Sequence, residues 1–195
     1  MVCNRGSSYK FILNQLPYAT DEIFVDASSS WGIGGFQGDR YFLVPNIDIE
    51  VFQILGRKYN TQTSRRDSPQ RLPIAYIELL AAMIGVVCFI PFCRNRIVRL
   101  NSDNTDAVAW LQKSRCSAGM GFRMLAVIEL YKLTYNSKIS ARYIKRVANK
   151  SADSLSRGVI PGWLVRFGKK CEINLDEITG LLNDPFSAWK KAIYD

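Results

Sequence analysis

The chain has 195 residues, 48% hydrophobic and 22% charged, a size and balance that fit one folded domain and exclude a wholly disordered chain. Lys and Arg number 26 against 17 Asp and Glu, and the resulting charge of +9 favours a polyanionic partner, nucleic acid first. No histidine occurs, which removes Ser/His and Cys/His triads, His general bases and His metal ligands together.

The five cysteines are scattered and contain no CxxC pair, so neither a disulfide framework nor a zinc site is expected, and a reducing, intracellular setting is. An anionic membrane surface competes for the positive charge, but no isolated basic amphipathic helix supports it. The opening MVCNRGSSYK lacks the apolar core of a secretory signal.

Residues 1–21 mix apolar and polar positions without a period and read as a lead-in or a connection to something upstream. The stretch EIFVDASSSWGIGGF follows. Ile23, Phe24 and Val25 predict a buried strand that Asp26 closes, and Trp31, Ile33 and Phe36, spaced by glycines, predict its hairpin partner. A carboxylate at the end of a central strand needs a cation or donors to satisfy it. Asp26 is therefore either a metal ligand or a turn cap working through Ser28 or Ser29. Arg40 to Val44 predicts a third strand, turned at Gly38-Asp39 and ended by Pro45. The long segment 46–71 carries five basic residues against Asp67 alone in its second half, and is a functional loop or a solvated insertion.

Pro73 then opens a helix, IAYIELLAAMIGVVCF, apolar nearly all round and so expected to lie buried. The apolar run Leu79 to Pro91, which continues just past it, is too short to span a bilayer, which needs about 20 residues. Glu78 is its only charge, and a lone buried Glu points to a metal or a partner. Ile97, Val98 and Leu100 predict a strand ending in Asn101-Ser102-Asp103, after which Asn104 is placed to cap a helix. A packing helix over FRMLAVIELYKLTY and a half-buried strand over Ile139 to Ile144 come next. Asn149 or Ser151 is placed to cap a short helix carrying Asp153. Between Lys132 and Ala152 there are six basic residues and no acid, so Asp153 adjoins a strongly positive stretch. The remainder, 159–195, holds two short amphipathic patterns, LDEITGLL and PFSAWKKAI; it docks on the domain or belongs to a neighbour.

Asp26, Glu78, Asp103 and Asp153 thus stand at strand ends or on helices that a mixed sheet would bring to one edge. Clustered acids repel unless divalent cations neutralise them, and oxygen-only ligands select Mg²⁺ or Mn²⁺. On a basic chain that chemistry suggests two-metal phosphodiester hydrolysis.

The motifs VDASSSWGIGG, IELLAA, LNSDNTDAVAWL and NKSADSLSR, in this order, resemble the ribonuclease H domain of retroelement reverse transcriptases, of the LTR or DIRS-like retrotransposon type. The resemblance covers 22–158, between the lead-in 1–21 and a helical tail 159–195. It implies a mixed five-stranded sheet, an antiparallel three-strand meander followed by parallel strands, with helices on both faces. It implies that Asp26 bridges two Mg²⁺ ions, which Mn²⁺ can replace; that Asp153 shares the ion that activates water; and that Glu78 and Asp103 complete the other site. The implied substrate is an RNA/DNA hybrid cut on its RNA strand, and the implied partner an upstream reverse transcriptase domain. Substrate contacts are expected from Gly32, Gly34 and Asn104, and from Tyr143, Lys145, Arg146 and Lys150 of the basic stretch. Tyr143 stands where many relatives carry a mobile His, a replacement that bears on turnover more than on activity. Two other readings are a non-catalytic nucleic-acid or protein-binding module of the same fold and a transposase or integrase core. The latter usually places its Glu last, whereas here the Glu comes second.

Overall fold

The computed structural model describes residues 21–30, 32–45, 73–116 and 119–186, so the lead-in up to residue 20, Trp31, the basic segment 46–71 and most of PFSAWKKAI lie outside the described residues. Three strands open the fold: β1 (Asp21–Ser28), β2 (Gly32–Gln37) and β3 (Arg40–Pro45), paired antiparallel in sequence. Helix α1 (Ile74–Phe89) carries the chain over one face of the sheet to β4 (Ile97–Ser102), which pairs parallel with β1. Helices α2 (Thr105–Lys113) and α3 (Gly119–Thr134) then lead to β5 (Lys138–Tyr143), parallel to β4. Because parallel pairing demands a long crossover, each of these returns is made by helix.

The sheet has six strands, not the expected five, in the order β5-β4-β1-β2-β3-β6. The additional strand, β6 (Lys169–Lys170), pairs parallel with β3 and comes from the tail. Two residues of ordinary polar sequence carry no strand signal, which is why the pattern missed it. The rest of the described tail also packs on the domain. After α4 (Lys150–Ser156) and α5 (Gly162–Phe167), helix α6 (Leu175–Asn183) is capped by Asn174, and its last carbonyls, Leu182 and Asn183, accept from Arg123 Nη1 of α3 at 2.8 and 2.7 Å.

Alternation along the strands sorts side chains onto two faces. Ile23 and Val25 of β1, Ile33 of β2, and Phe42 and Val44 of β3 meet α1 and α3 in the main core. Phe24, Phe36, Tyr41 and Leu43 point the other way. There Tyr41 packs with Leu155 of α4 and Leu164 of α5, Phe24 stacks on Phe36 at 4.9 Å between centroids, and Trp163 meets Phe36 edge-on. Helix α1 is buried all round because the sheet covers one side and α3 the other. Each large apolar side chain fully buried there contributes about 1.5–3 kcal/mol. The run Ile74–Phe92 is long and apolar enough to cross a membrane, with mean hydropathy 2.2, but 78% of it is buried inside the protein.

Candidate metal centre at the sheet edge

Since β1 and β4 run parallel, their C-terminal ends reach the same edge of the sheet. Asp26 lies near the end of β1 and Asp103 follows the last residue of β4. Helix α1 brings Glu78 beneath them, one turn in from its start at Ile74. Asp26, Glu78 and Asp103 each offer a carboxylate oxygen within 4.8 Å of the others, a spacing that can hold a cation. Asp26 and Glu78 are only 3% exposed, and Asp103 is half-buried.

Donors from several elements hold these acids. Glu78 Oε1 accepts from the Ala27 backbone N–H at 3.2 Å and Oε2 from Ser102 Oγ at 3.3 Å; Ser102 Oγ in turn accepts from Asn104 N. Asp26 Oδ2 accepts from Ser156 Oγ at 2.5 Å, and Oδ1 from Asn149 Nδ2 at 3.4 Å. These bonds do not offset the cost of burying the charges. Desolvation pushes Asp26 up to about 7, with Asp103 and Asp153 adding repulsion. Desolvation, then Asp26 and Asp103, push Glu78 up to about 9. Asp103 is raised too, first by burial, with Arg146 pulling against it. Three acids whose proton affinity rises because they sit together out of water will ionise when a cation joins them.

Asp153 is nearby but differently engaged. Its carboxylate accepts from Arg146 at 2.9 Å and from Arg157 at 3.1 Å, and it is not one of the three acids within ligating distance of each other. Partial burial opposes its ionisation, but the bonds from Arg157 and Arg146 outweigh this and hold it below the usual range.

The expected substrate contacts divide. Tyr143 is 48% exposed, Lys145 and Arg146 are exposed between β5 and α4, and Lys150 is exposed at the start of α4. Asn104 caps α2, its Oδ1 accepting from Asp106 N and Ala107 N. Gly32 and Gly34 are buried, and what approaches them is the protein itself. A Cβ on Gly32 would strike the Val44 carbonyl, and one on Gly34 would lie 2.5 Å from Leu155 Cβ and 2.7 Å from Ser156 N. Gly34 thus lets α4 settle directly on β2, while Gly32 leaves room for the neighbouring strand β3.

Pattern reading did not single out Ser102, Asn149 or Ser156 as site residues. The signal was present: Asn149, Asp153 and Ser156 are spaced i, i+4, i+7 and share one helical face. Nor does Asn149 or Ser151 cap α4 as expected, because no side chain bonds its N-terminus. Compared with protein-family models, with curated proteins and with solved structures, the chain finds no match, leaving the geometry of this acidic edge as the basis for assigning chemistry.

Proposed function

We propose that the protein is a Mg²⁺-dependent endonuclease that hydrolyses the RNA strand of RNA/DNA hybrids. The observation that carries this reading is the meeting of Asp26, Glu78 and Asp103, from three elements far apart in sequence, within 4.8 Å of one another. The donor set is oxygen only, which suits Mg²⁺ or Mn²⁺ rather than a softer ion. Asp26, Glu78 and Asp103 would hold the cation, with Asp153 joining them once Arg146 and Arg157 let it go. Bound there, a divalent cation supplies Lewis acidity that activates water and neutralises charge at a scissile phosphate. The chain's own part is to hold four carboxylates in place and to offer a basic flank, Lys145, Arg146 and Lys150, to the phosphate backbone. The hybrid as substrate rests on the four motifs and their order.

The test is cleavage of an end-labelled RNA/DNA hybrid by wild type and Asp26→Asn. Cleavage of the RNA strand by wild type with Mg²⁺ or Mn²⁺, lost in Asp26→Asn, is expected; equal inertness of both proteins would refute the reading. One observation favours a second reading, a non-catalytic nucleic-acid-binding module. Asp153 is tied into two ion pairs with Arg146 and Arg157. That reading expects hybrid binding indifferent to Mg²⁺ and no cleavage.

A further inference from the structure

Asn149 stands at the head of α4, where an Asn would ordinarily cap its own helix. It does not. Its φ and ψ of −100° and 15° lie outside the extended region a cap needs, and its side chain leaves the helix for β1. There Nδ2 donates to the Val25 carbonyl at 2.9 Å and to Asp26 Oδ1 at 3.4 Å. Because both neighbours are acceptors, the amide cannot be turned the other way round without setting oxygen against oxygen. Its Oδ1 is buried without a partner among the described residues. Leaving a buried acceptor unpaired costs about 1–3 kcal/mol, so this side chain is a poor choice for fold stability alone.

Ser156, at the other end of α4 and 1% exposed, completes the arrangement. Its hydroxyl donates to Asp26 Oδ2 at 2.5 Å and also lies 2.9 Å from the Asp153 carbonyl. Asp26 is thus held at Oδ1 by Asn149 just ahead of α4 and at Oδ2 by Ser156 at the helix end, and α4 carries the fourth acid between the two grips. Gly34 permits the grip by letting Leu155 and Ser156 rest on β2.

We propose that Asn149 and Ser156 are positioning residues that fix the Asp26 carboxylate for the cation and register Asp153 against it. This rests on the reading of the acidic edge as a metal centre. Neither side chain is a ligand; each acts through Asp26. Groups in this role, removed singly, typically cost 10-fold to 100-fold in metal affinity or activity.

The experiment measures Mn²⁺ binding to the full chain by electron paramagnetic resonance of free Mn²⁺, well below the melting temperature, for wild type, Asn149→Ala, Ser156→Ala and Ser156→Thr. Each alanine variant is expected to raise the Mn²⁺ Kd by about 10-fold or more, and the hydroxyl-retaining Thr variant to stay within about threefold of wild type. With a labelled hybrid, the alanine variants are expected to lower kcat at unchanged KM. A merely structural role would lower Tm while the folded protein kept the wild-type Kd and kcat. Alanine variants that bind Mn²⁺ as wild type does overturn the positioning role and leave the metal centre standing. A Thr variant as weak as Ser156→Ala overturns the part assigned to the hydroxyl. A wild type that binds no Mn²⁺ overturns the metal centre and this inference with it.

Discussion

Replacing Glu78 by Gln tests the electrostatics of the acidic edge without requiring any activity. The amide is close in shape to the protonated acid. Its oxygen can keep the bond from Ala27 N–H and its NH₂ can donate to Ser102 Oγ, so the local bonding survives. What changes is the charge. Desolvation raises Glu78 from 4.5 to about 9, so its folded-state value lies above its unfolded one. A group shifted in this sense contributes its full stability below 4.5 and loses it as pH rises toward about 9. At about 1.4 kcal/mol per pH unit, the metal-free wild type at about pH 8 is weakened by on the order of 5 kcal/mol relative to acid conditions. Gln carries no such term. Thermal melts without divalent ions should show Glu78→Gln close to wild type near about pH 4 and higher by about 10–20 °C near about pH 8, since each kcal/mol is worth about 2–4 °C in a chain this long. Adding Mg²⁺ at the higher pH should raise the wild type and leave the variant nearly unmoved. A variant that melts below wild type at both pH values, by similar amounts, would refute the reasoning, because Glu78 would then matter for its packing and not its charge.

Two other substitutions probe the neighbouring elements. Arg146→Gln releases one of the two cations on Asp153 and removes a positive charge from the flank. It should tighten Mn²⁺ binding several-fold in the absence of nucleic acid, while weakening hybrid binding and reducing its salt slope by about 1; unchanged affinity for both ligands would contradict it. Gly34→Ala drives a methyl into Leu155 Cβ, 2.5 Å away, and lifts α4 from the sheet. The cost should be about 1–3 kcal/mol by urea unfolding, with hybrid cleavage falling because Asp153 moves while Glu78 and Asp103 do not; full activity at wild-type stability would count against the close approach.

Much of the layout was legible because its signals are local. Pro73 and the apolar run after it gave α1 its bounds, and Asn104 gave α2 its start. Glu78 stood out as the one charge in an otherwise apolar helix, and the structure buries it as expected. What the pattern could not convey was distance in space. Asp153 had the same look as the other three acids, yet arginines at −7 and +4 claim it, and ion pairs of that kind follow from how the turn before α4 and α4 itself run and not from residue type. The glycines of β2 read as room for a ligand, but glycine marks any close approach, and here the approaching groups are α4 at Gly34 and the strand β3 at Gly32. Strand β6 escaped because two lysines carry no periodicity at all.

That short strand has a practical bearing on how the protein can be handled. With Lys169 and Lys170 paired alongside Arg40 and Tyr41, the first half of β3 has neighbours on both sides, and there the sheet ends on two charged residues. Trimming the chain after Gly158, where the motifs stop, would strip that cover and leave a bare row of amides and carbonyls open to pairing with another molecule. Two lysines that lie away from the acidic edge thus help to keep the far side of the sheet from becoming adhesive.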